Sequence, residues 1–339
     1  MSLGDASVVL VGESAPVREL RELIRRIAPT RLPVLIEGET GTGKELVAAL
    51  LHQQSGRTGG FVPFNVCAIG ESMFEDALFG HVRGAYTGAL SESLGFLREA
   101  DGGTAFFDEI SGLPMPLQAK LLRAVETGVF RPIGATRDAR SNFRVVAATN
   151  DALSALVDRG AFRSDLRHRL SGVVVSVPSL AERVDDIPIL ARHFARQSAG
   201  RTTPKCIDDD AIRLLMDVPW SGNIRELKQA VETALVFARG SVDAAAIRGA
   251  LAHRSRDGAP VAAPGAATRR GDLVATLRDA AWDVDQAAAR LGMHRATLYR
   301  RMKRLGIDAP RFHDTAGRHS LSGGVHVREF ESRETSARP

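Results

Sequence analysis

The chain has 339 residues, 44% apolar and 25% charged, which is ordinary for a soluble globular protein and long enough for roughly two to three domains with a sizeable core. Its formal net charge of +5 is only mildly basic, so an anionic partner is expected to meet a local patch, not the whole surface. The two cysteines, Cys67 and Cys206, lack paired spacing, which sets aside a disulfide framework, and no run of roughly 18 or more apolar residues sets aside a spanning helix; the expected location is the cytoplasm, away from membranes.

From Leu32 to Leu251 short apolar runs alternate with amphipathic stretches, the pattern of an α/β layer structure with a largely parallel sheet. Expected strands are Val34–Glu37, Phe61–Val66, Thr104–Phe107, Arg144–Ala148 and Val173–Val177. Helices are expected at Lys44–Ser55, Met115–Thr127 and Ile187–Gln197. The resulting division is an α/β unit over 8–200, a small helical lid over 201–252, a linker rich in Ala, Pro and Gly over 253–270, a helical module over 271–307, and a polar, disordered tail over 308–339. Only about the first ten residues precede the α/β unit, so no N-terminal sensor domain is expected.

Gly38-Glu39-Thr40-Gly41-Thr42-Gly43-Lys44 follows a strand and opens a helix. In that context backbone N–H groups and a helix N-terminus surround phosphate oxygens, and Lys44 reaches the β and γ phosphates. Glu45 stands where a Ser or Thr ordinarily helps to hold magnesium. Asn65 ends an expected strand. Gly84-Ala85-Tyr86-Thr87-Gly88-Ala89 puts one ring and one hydroxyl on a loop tip whose glycines admit backbone angles closed to other residues.

Next, Thr104-Ala105-Phe106-Phe107-Asp108-Glu109 delivers two carboxylates to the sheet edge where the phosphates should sit. Asp108 suits Mg2+, and Glu109 suits orienting and deprotonating the attacking water of nucleotide hydrolysis. Asn150 ends a strand and could offer its amide near the γ phosphate. Like Asn65, it could equally cap the chain locally. Arg163 and Arg169 are either solvated surface arginines or charge-neutralising groups at a neighbouring subunit's phosphate, and spacing does not choose between these.

In the C-terminal module, Val284–Met293 reads as a small-residue helix ending at Gly292, followed by a second helix over His294–Arg304. Leu298, Met302 and Leu305 form one apolar side. Arg295, Arg300, Arg301, Lys303 and Arg304 form a basic one, the make-up of a recognition helix in a helix-turn-helix. Arg295, Thr297 and Tyr299 are candidate base or backbone contacts to double-stranded DNA, and Arg300, Arg301 and Arg304 candidate phosphate contacts.

Together these residues resemble the bacterial AAA+ enhancer-binding proteins that activate RNA polymerase carrying sigma-54, with a Fis-type C-terminal domain. The signature is the hexapeptide at 84–89, seen in the family as Gly-Ala-Phe-Thr-Gly-Ala. Leu78-Phe79-Gly80-His81, Gly102-Gly103-Thr104, Ala148-Thr149-Asn150 and Trp220-Ser221-Gly222-Asn223-Ile224-Arg225-Glu226-Leu227 match as well. The resemblance implies an AAA+ fold and an ATPase that uses ATP and Mg2+. It also implies ring assembly, commonly as a hexamer, and loops that ATP turnover raises against sigma-54 to remodel the closed promoter complex while the C-terminal domain holds enhancer DNA.

By resemblance, Asn65 holds Glu109 and senses the γ phosphate, Asn150 belongs to the first sensor, and Arg163 and Arg169 are trans-acting fingers. Arg225 belongs to the second sensor, Phe130–Asn142 is a second moving loop, and Glu45 is a family residue. Tyr86 departs from the family phenylalanine, Ala77 and Val82 from frequent acids, Ala181 from a frequent Arg and Ser221 from a frequent Pro. Control is expected from a separate regulatory protein, from expression level or from the tail. The alternative reading is an AAA+ DNA-binding regulator that never remodels sigma-54; a loader acting on DNA or another protein is disfavoured by the loop and the helix-turn-helix together.

Overall fold

The computed structural model describes residues 9–70, 73–198, 206–238, 240–256, 270–280 and 282–291, with residues 298, 302 and 307. The chain enters through α1 (Ala15–Ile27), whose Val17, Leu20, Ile24 and Ile27 recur at helical spacing and are buried. It then builds β1 (Val34–Glu37), α2 (Lys44–Gln53), β2 (Phe61–Asn65), the short helices α3 (Phe74–Phe79) and α4 (Phe96–Glu99), β3 (Thr104–Asp108) and α5 (Met115–Thr127). A two-stranded antiparallel hairpin, β4 (Val129–Phe130) with β5 (Ala139–Arg140), precedes β6 (Arg144–Thr149), α6 (Leu153–Asp158), α7 (Ser164–Leu170) and β7 (Val173–Ser176).

The main sheet has five strands, all parallel, in the order β2-β3-β6-β1-β7. Alternate residues of its central strands feed two separate cores. Leu35, Phe107, Val145 and Ala147 pack with α3, α4, α5 and α7 on one face; Val34, Ile36, Phe106, Val146 and Ala148 pack with α1 and α2 on the other. The strands therefore read as near-continuous apolar runs. Phe96 sits 4.8 Å from Phe64 and 5.1 Å from Phe107, ring centroid to centroid, fastening α4 to the sheet. Buried Arg144 donates to the carbonyls of Ile27, Ala28 and Leu32, satisfying the C-terminal end of α1; burial holds its guanidinium down at about 10.

Strand positions agree with the sequence pattern to within a residue at either end. The expected β2 stops one residue short, at Asn65, because the Asn65 side chain accepts from the Ala68 amide and turns the chain into a 3-10 turn over Val66–Ala68. The β4–β5 hairpin is too short for its alternation to register in sequence.

A second packed unit follows, built from α8 (Ile187–Ser198), α9 (Asp209–Asp217), α10 (Asn223–Phe237) and α11 (Ala244–Arg256). Its core begins at Leu180 and includes Ile187, Leu190 and Phe194. Apolar packing thus puts α8 with the lid and the divide near residue 180, not at the expected 200, because α8 buries its apolar stripe on α9 and α10. Helix α11 also carries the lid to Arg256, past the expected start of the linker at 253.

In the C-terminal module, α12 (Arg270–Asp279) and α13 (Val284–Arg290) share a core with Leu298, Met302 and Ile307. Asp283 caps α13 through the amides of Asp285 and Gln286. Of the apolar side expected of the second helix, Leu298 and Met302 are buried, whereas Leu305 and the expected contacts Arg295, Thr297, Tyr299, Arg300, Arg301, Lys303 and Arg304 lie outside the described residues, as does the tail. No helix among the described residues is long and apolar enough to cross a membrane.

Phe107 is fully buried between the sheet and α4. Phe107→Ala is expected to destabilise the α/β unit by ~3–5 kcal/mol, read as a lower urea midpoint with an unchanged slope.

Candidate nucleotide site

Parallel strands end together, so the loops after β1, β3 and β6 meet at one edge of the sheet. Gly38 leaves β1 with its amide on the Thr149 carbonyl at 3.4 Å, and the loop turns through Gly41 (φ 79°) and Gly43 (φ 99°), angles that favour glycine. Thr42, fully buried, closes the turn on the Glu39 carbonyl at 2.8 Å. Lys44 opens α2 with its ammonium held over the Gly38 and Glu39 carbonyls at 2.9 and 3.3 Å. A loop of backbone N–H groups, a helix N-terminus and a buried cation are thereby gathered at one point.

Asp108 and Glu109 stand across this loop, half-buried, and Glu109 takes left-handed backbone angles (φ 54°) that turn the chain off the strand. A cleft of about 470 Å³ holds Lys44, Glu45, Asp108, Glu109, Arg225 and Lys228 in its walls. Asn150 donates to the Thr40 hydroxyl at 3.3 Å, tying the end of β6 to the loop. Asn65 lies at the same edge, but its amide donates to Asp108 at 3.4 Å and not to Glu109, because the β2–β3 register pairs Asn65 with Asp108. The sequence resemblance had implied the Glu109 partner.

Arg163 and Arg169 are not in this cleft. Arg163 makes a bidentate pair with Asp165 (3.1 and 2.8 Å), which raises its pKa further. Arg169 lines a different cleft of about 670 Å³ beside Arg31, Asp101, Glu126 and Arg140. Within the chain these arginines do not line the cleft at the Gly38–Lys44 loop.

The residue that sequence reasoning passed over is Asn223. It is 1% exposed, adopts φ 54° at the start of α10, and accepts the Leu180 amide at 2.7 Å through its Oδ1. Its Nδ2 donates to the Glu39 carboxylate at 2.9 Å and to the Thr40 carbonyl at 3.1 Å. One amide therefore joins the phosphate-type loop to two segments of the lid. Nearby, the Arg225 amide donates to the Gly41 carbonyl, and a Cβ at Gly41 would meet the Gly222 carbonyl at 2.2 Å, so the lid sits directly on the loop. Arg183, also buried, donates to the Thr42 carbonyl at 3.1 Å, and its Nε and Nη1 have no partner among the described residues. Burial lowers its pKa, opposed by Asp186 and Glu182. The signal for Asn223 was present in the Gly222-Asn223 pair, but a buried left-handed Asn cannot be told in sequence from an ordinary helix cap.

Chemically, the loop amides and Lys44 suit a polyphosphate. No group of three or more His, Cys, Asp or Glu side chains among the described residues is placed to cage a metal alone. Asp108 and Glu109 beside this loop are hard oxygen donors, of a kind that would suit a divalent cation sharing its coordination with phosphate oxygens and water. Away from the cleft, the 84–89 loop closes on itself through Gly84 N–H to the Ala89 carbonyl (2.9 Å) and Ala89 N–H to the Tyr86 carbonyl (3.1 Å), with Thr87 and Gly88 exposed.

Comparison with known proteins matches residues 10–176 to the Sigma-54 interaction domain, residues 181–263 to an AAA+ ATPase lid domain, and residues 273–305 to the Bacterial regulatory protein, Fis family. The chain is 38% identical over 311 residues to Transcriptional regulatory protein GlrR of Escherichia coli (strain K12), covering 89% of this chain and 69% of that protein. It is 46% identical over 242 residues to the Anaerobic nitric oxide reductase transcription regulator NorR of Aliivibrio fischeri, covering 70% of this chain and 47% of that one. Among solved structures, NtrX from Brucella abortus in complex with ADP superposes with a TM-score of 0.67 at 33% identity, covering 89% of this chain and 70% of that one.

Asn223→Ala leaves the Leu180 amide and the Glu39 carboxylate without their partner. The expected cost is ~1–3 kcal/mol, and amide exchange at Leu180 should quicken while exchange in β3 stays slow.

Proposed function

We propose, from the premise that the chain belongs to the sigma-54-dependent transcriptional activator family and carries a Fis-type helix-turn-helix, that it hydrolyses ATP in a ring and spends the energy on moving the Gly84–Ala89 loop against sigma-54. The observation that carries this reading is the single cleft shared by Lys44, Asp108, Glu109 and lid residue Arg225. Backbone amides of Gly38, Glu39, Thr40, Gly41, Thr42 and Gly43 with Lys44 bind the phosphates. Asp108, with Glu45 at the same wall, would hold Mg2+, which supplies charge neutralisation on the phosphate oxygens when bound. Glu109 orients the attacking water and takes its proton. Asn150 positions the γ-phosphate side through Thr40, and Asn65 reads the carboxylate pair through Asp108. Arg225 and Asn223 make lid position depend on the loop's occupant.

Arg163 and Arg169 serve the neighbouring protomer's nucleotide, so the ring, of hexameric type, completes each site. The remodelling target is sigma-54 RNA polymerase, engaged by Gly84, Ala85, Tyr86, Thr87, Gly88 and Ala89. The functional division follows the packing: a catalytic unit to about residue 177, a lid over 180–256 and a DNA-binding module over 270–307. In that module Arg295, Thr297 and Tyr299 read enhancer DNA and Arg300, Arg301 and Arg304 hold its phosphates. The setting is the cytoplasm.

The deciding experiment is capture of sigma-54 by the full chain with ADP and aluminium fluoride. Capture is expected in that trapped state; its failure would favour a DNA-binding regulator that leaves sigma-54 alone. ATPase rate per protomer should rise with protein concentration, and equal specific activity across dilution would count against the trans arginines. Glu109→Gln should retain ATP while losing at least roughly 100-fold in turnover, and Thr87→Ala should keep turnover while losing sigma-54 capture. For the DNA end, Arg301→Ala should lower the salt slope of binding by about one and weaken all sequences alike.

A further inference from the structure

Tyr86 is not free at the tip of its loop. Its hydroxyl donates to the Asp76 carboxylate at 3.3 Å, and its ring meets the His81 ring edge-on, centroids 5.1 Å apart at 61°. Asp76 belongs to α3, and its other carboxylate oxygen lies 2.5 Å from His81 Nδ1. His81, 9% exposed, donates from Nε2 to the Ser91 carbonyl at 3.0 Å, and its backbone bridges to Ser93 on one side and Ile133 on the other. The base of the loop is thus a frame shared with the second loop, where Ile133 N–H bonds the Gly80 carbonyl and Val82 N–H bonds the Ile133 carbonyl. The tip closes on its own backbone, and the Tyr86 side chain joins it to the frame.

We propose that Asp76 is a positioning residue for the partner-contacting ring: its carboxylate, braced by His81, latches the Tyr86 hydroxyl and holds the ring folded onto the loop's own base until the frame shifts. The pairing depends on this chain's own residue, since a phenylalanine at 86 keeps the ring and the His81 contact but has nothing to donate. The phenol's environment agrees with the geometry: desolvation and the Asp76 charge raise its pKa. Leu90, 85% exposed beside the tip, and Tyr86 itself, still 43% exposed, leave the ring ready to swing outward with no core to rebuild. A phenol-to-carboxylate bond in partial contact with water is worth roughly a fivefold shift between latched and released states. The latch is a property of the resting chain; only the identity of what the released ring meets rests on the function proposed above.

The test is a double-mutant cycle in the full chain without nucleotide, combining Asp76→Asn, Tyr86→Phe and both. Asp76→Asn keeps an oxygen for His81 and exchanges the charge-assisted bond for a neutral one from its amide to the phenol oxygen, whereas Tyr86→Phe keeps the ring and removes the bond outright. Hydrogen exchange of residues 82–92 should quicken about threefold to tenfold in Tyr86→Phe, by less in Asp76→Asn, and in the double no further than in Tyr86→Phe. Unchanged exchange in Tyr86→Phe, or effects that simply add in the double, would overturn the latch. ATPase of Asp76→Asn should stay at the parent rate, while sigma-54 capture without nucleotide should rise severalfold. If exchange shows the coupling yet no variant captures sigma-54 even with ADP and aluminium fluoride, the latch stands and the assigned partner falls.

Discussion

The parallel register of the sheet is the constraint on which the rest of this molecule depends. Because every strand runs the same way, Gly38, Asp108, Asn150 and Asn65 emerge at one edge although they are spread over more than a hundred residues of chain. A slip of one residue in β3 would turn Phe107 from one core to the other and carry Asp108 away from the Asn65 side chain that meets it. The two apolar cores enforce the register, so the chemistry of the edge is held by packing on faces that contain none of it.

On that edge the lid is built as part of the loop and not as a separate cover. Asn223 joins Leu180, Glu39 and Thr40. Asp186 accepts the Glu13 and Ser14 amides and the Ser14 hydroxyl, pulling the entrance of α1 onto the same lid segment. Arg183 reaches the Thr42 carbonyl from within that segment, its Nε and Nη1 without a partner among the described residues. Loop and lid are therefore joined by hydrogen bonds at the wall of the cleft.

The loop of residues 84–89 shows the complementary arrangement. Its base is rigid, shared with the second loop and braced by His81, while its tip has little buried surface and closes on itself. Low local packing lets such a segment change position for little free energy, and a side-chain contact as modest as Tyr86 on Asp76 is then large enough to bias it. Arg163 and Arg169 lie apart from the chain's own cleft, the separation that the proposed sharing between neighbours requires.

Much of this was legible in the residues themselves. Apolar runs of strand length between amphipathic stretches determined the α/β layers. The Gly38–Lys44 spacing determined a phosphate-type loop at a helix start, and the 84–89 hexapeptide identified the family. These signals are local, since backbone freedom at glycine and side-chain period act over a few residues. Tertiary structure alone decided that Asn65 meets Asp108, that α8 belongs to the lid, that Asn223 ties lid to loop, and that Tyr86 folds back onto Asp76. Each of those joins partners brought together by register or by helix packing, and a contact between residues 39 and 223 leaves no periodic trace in the chain that makes it.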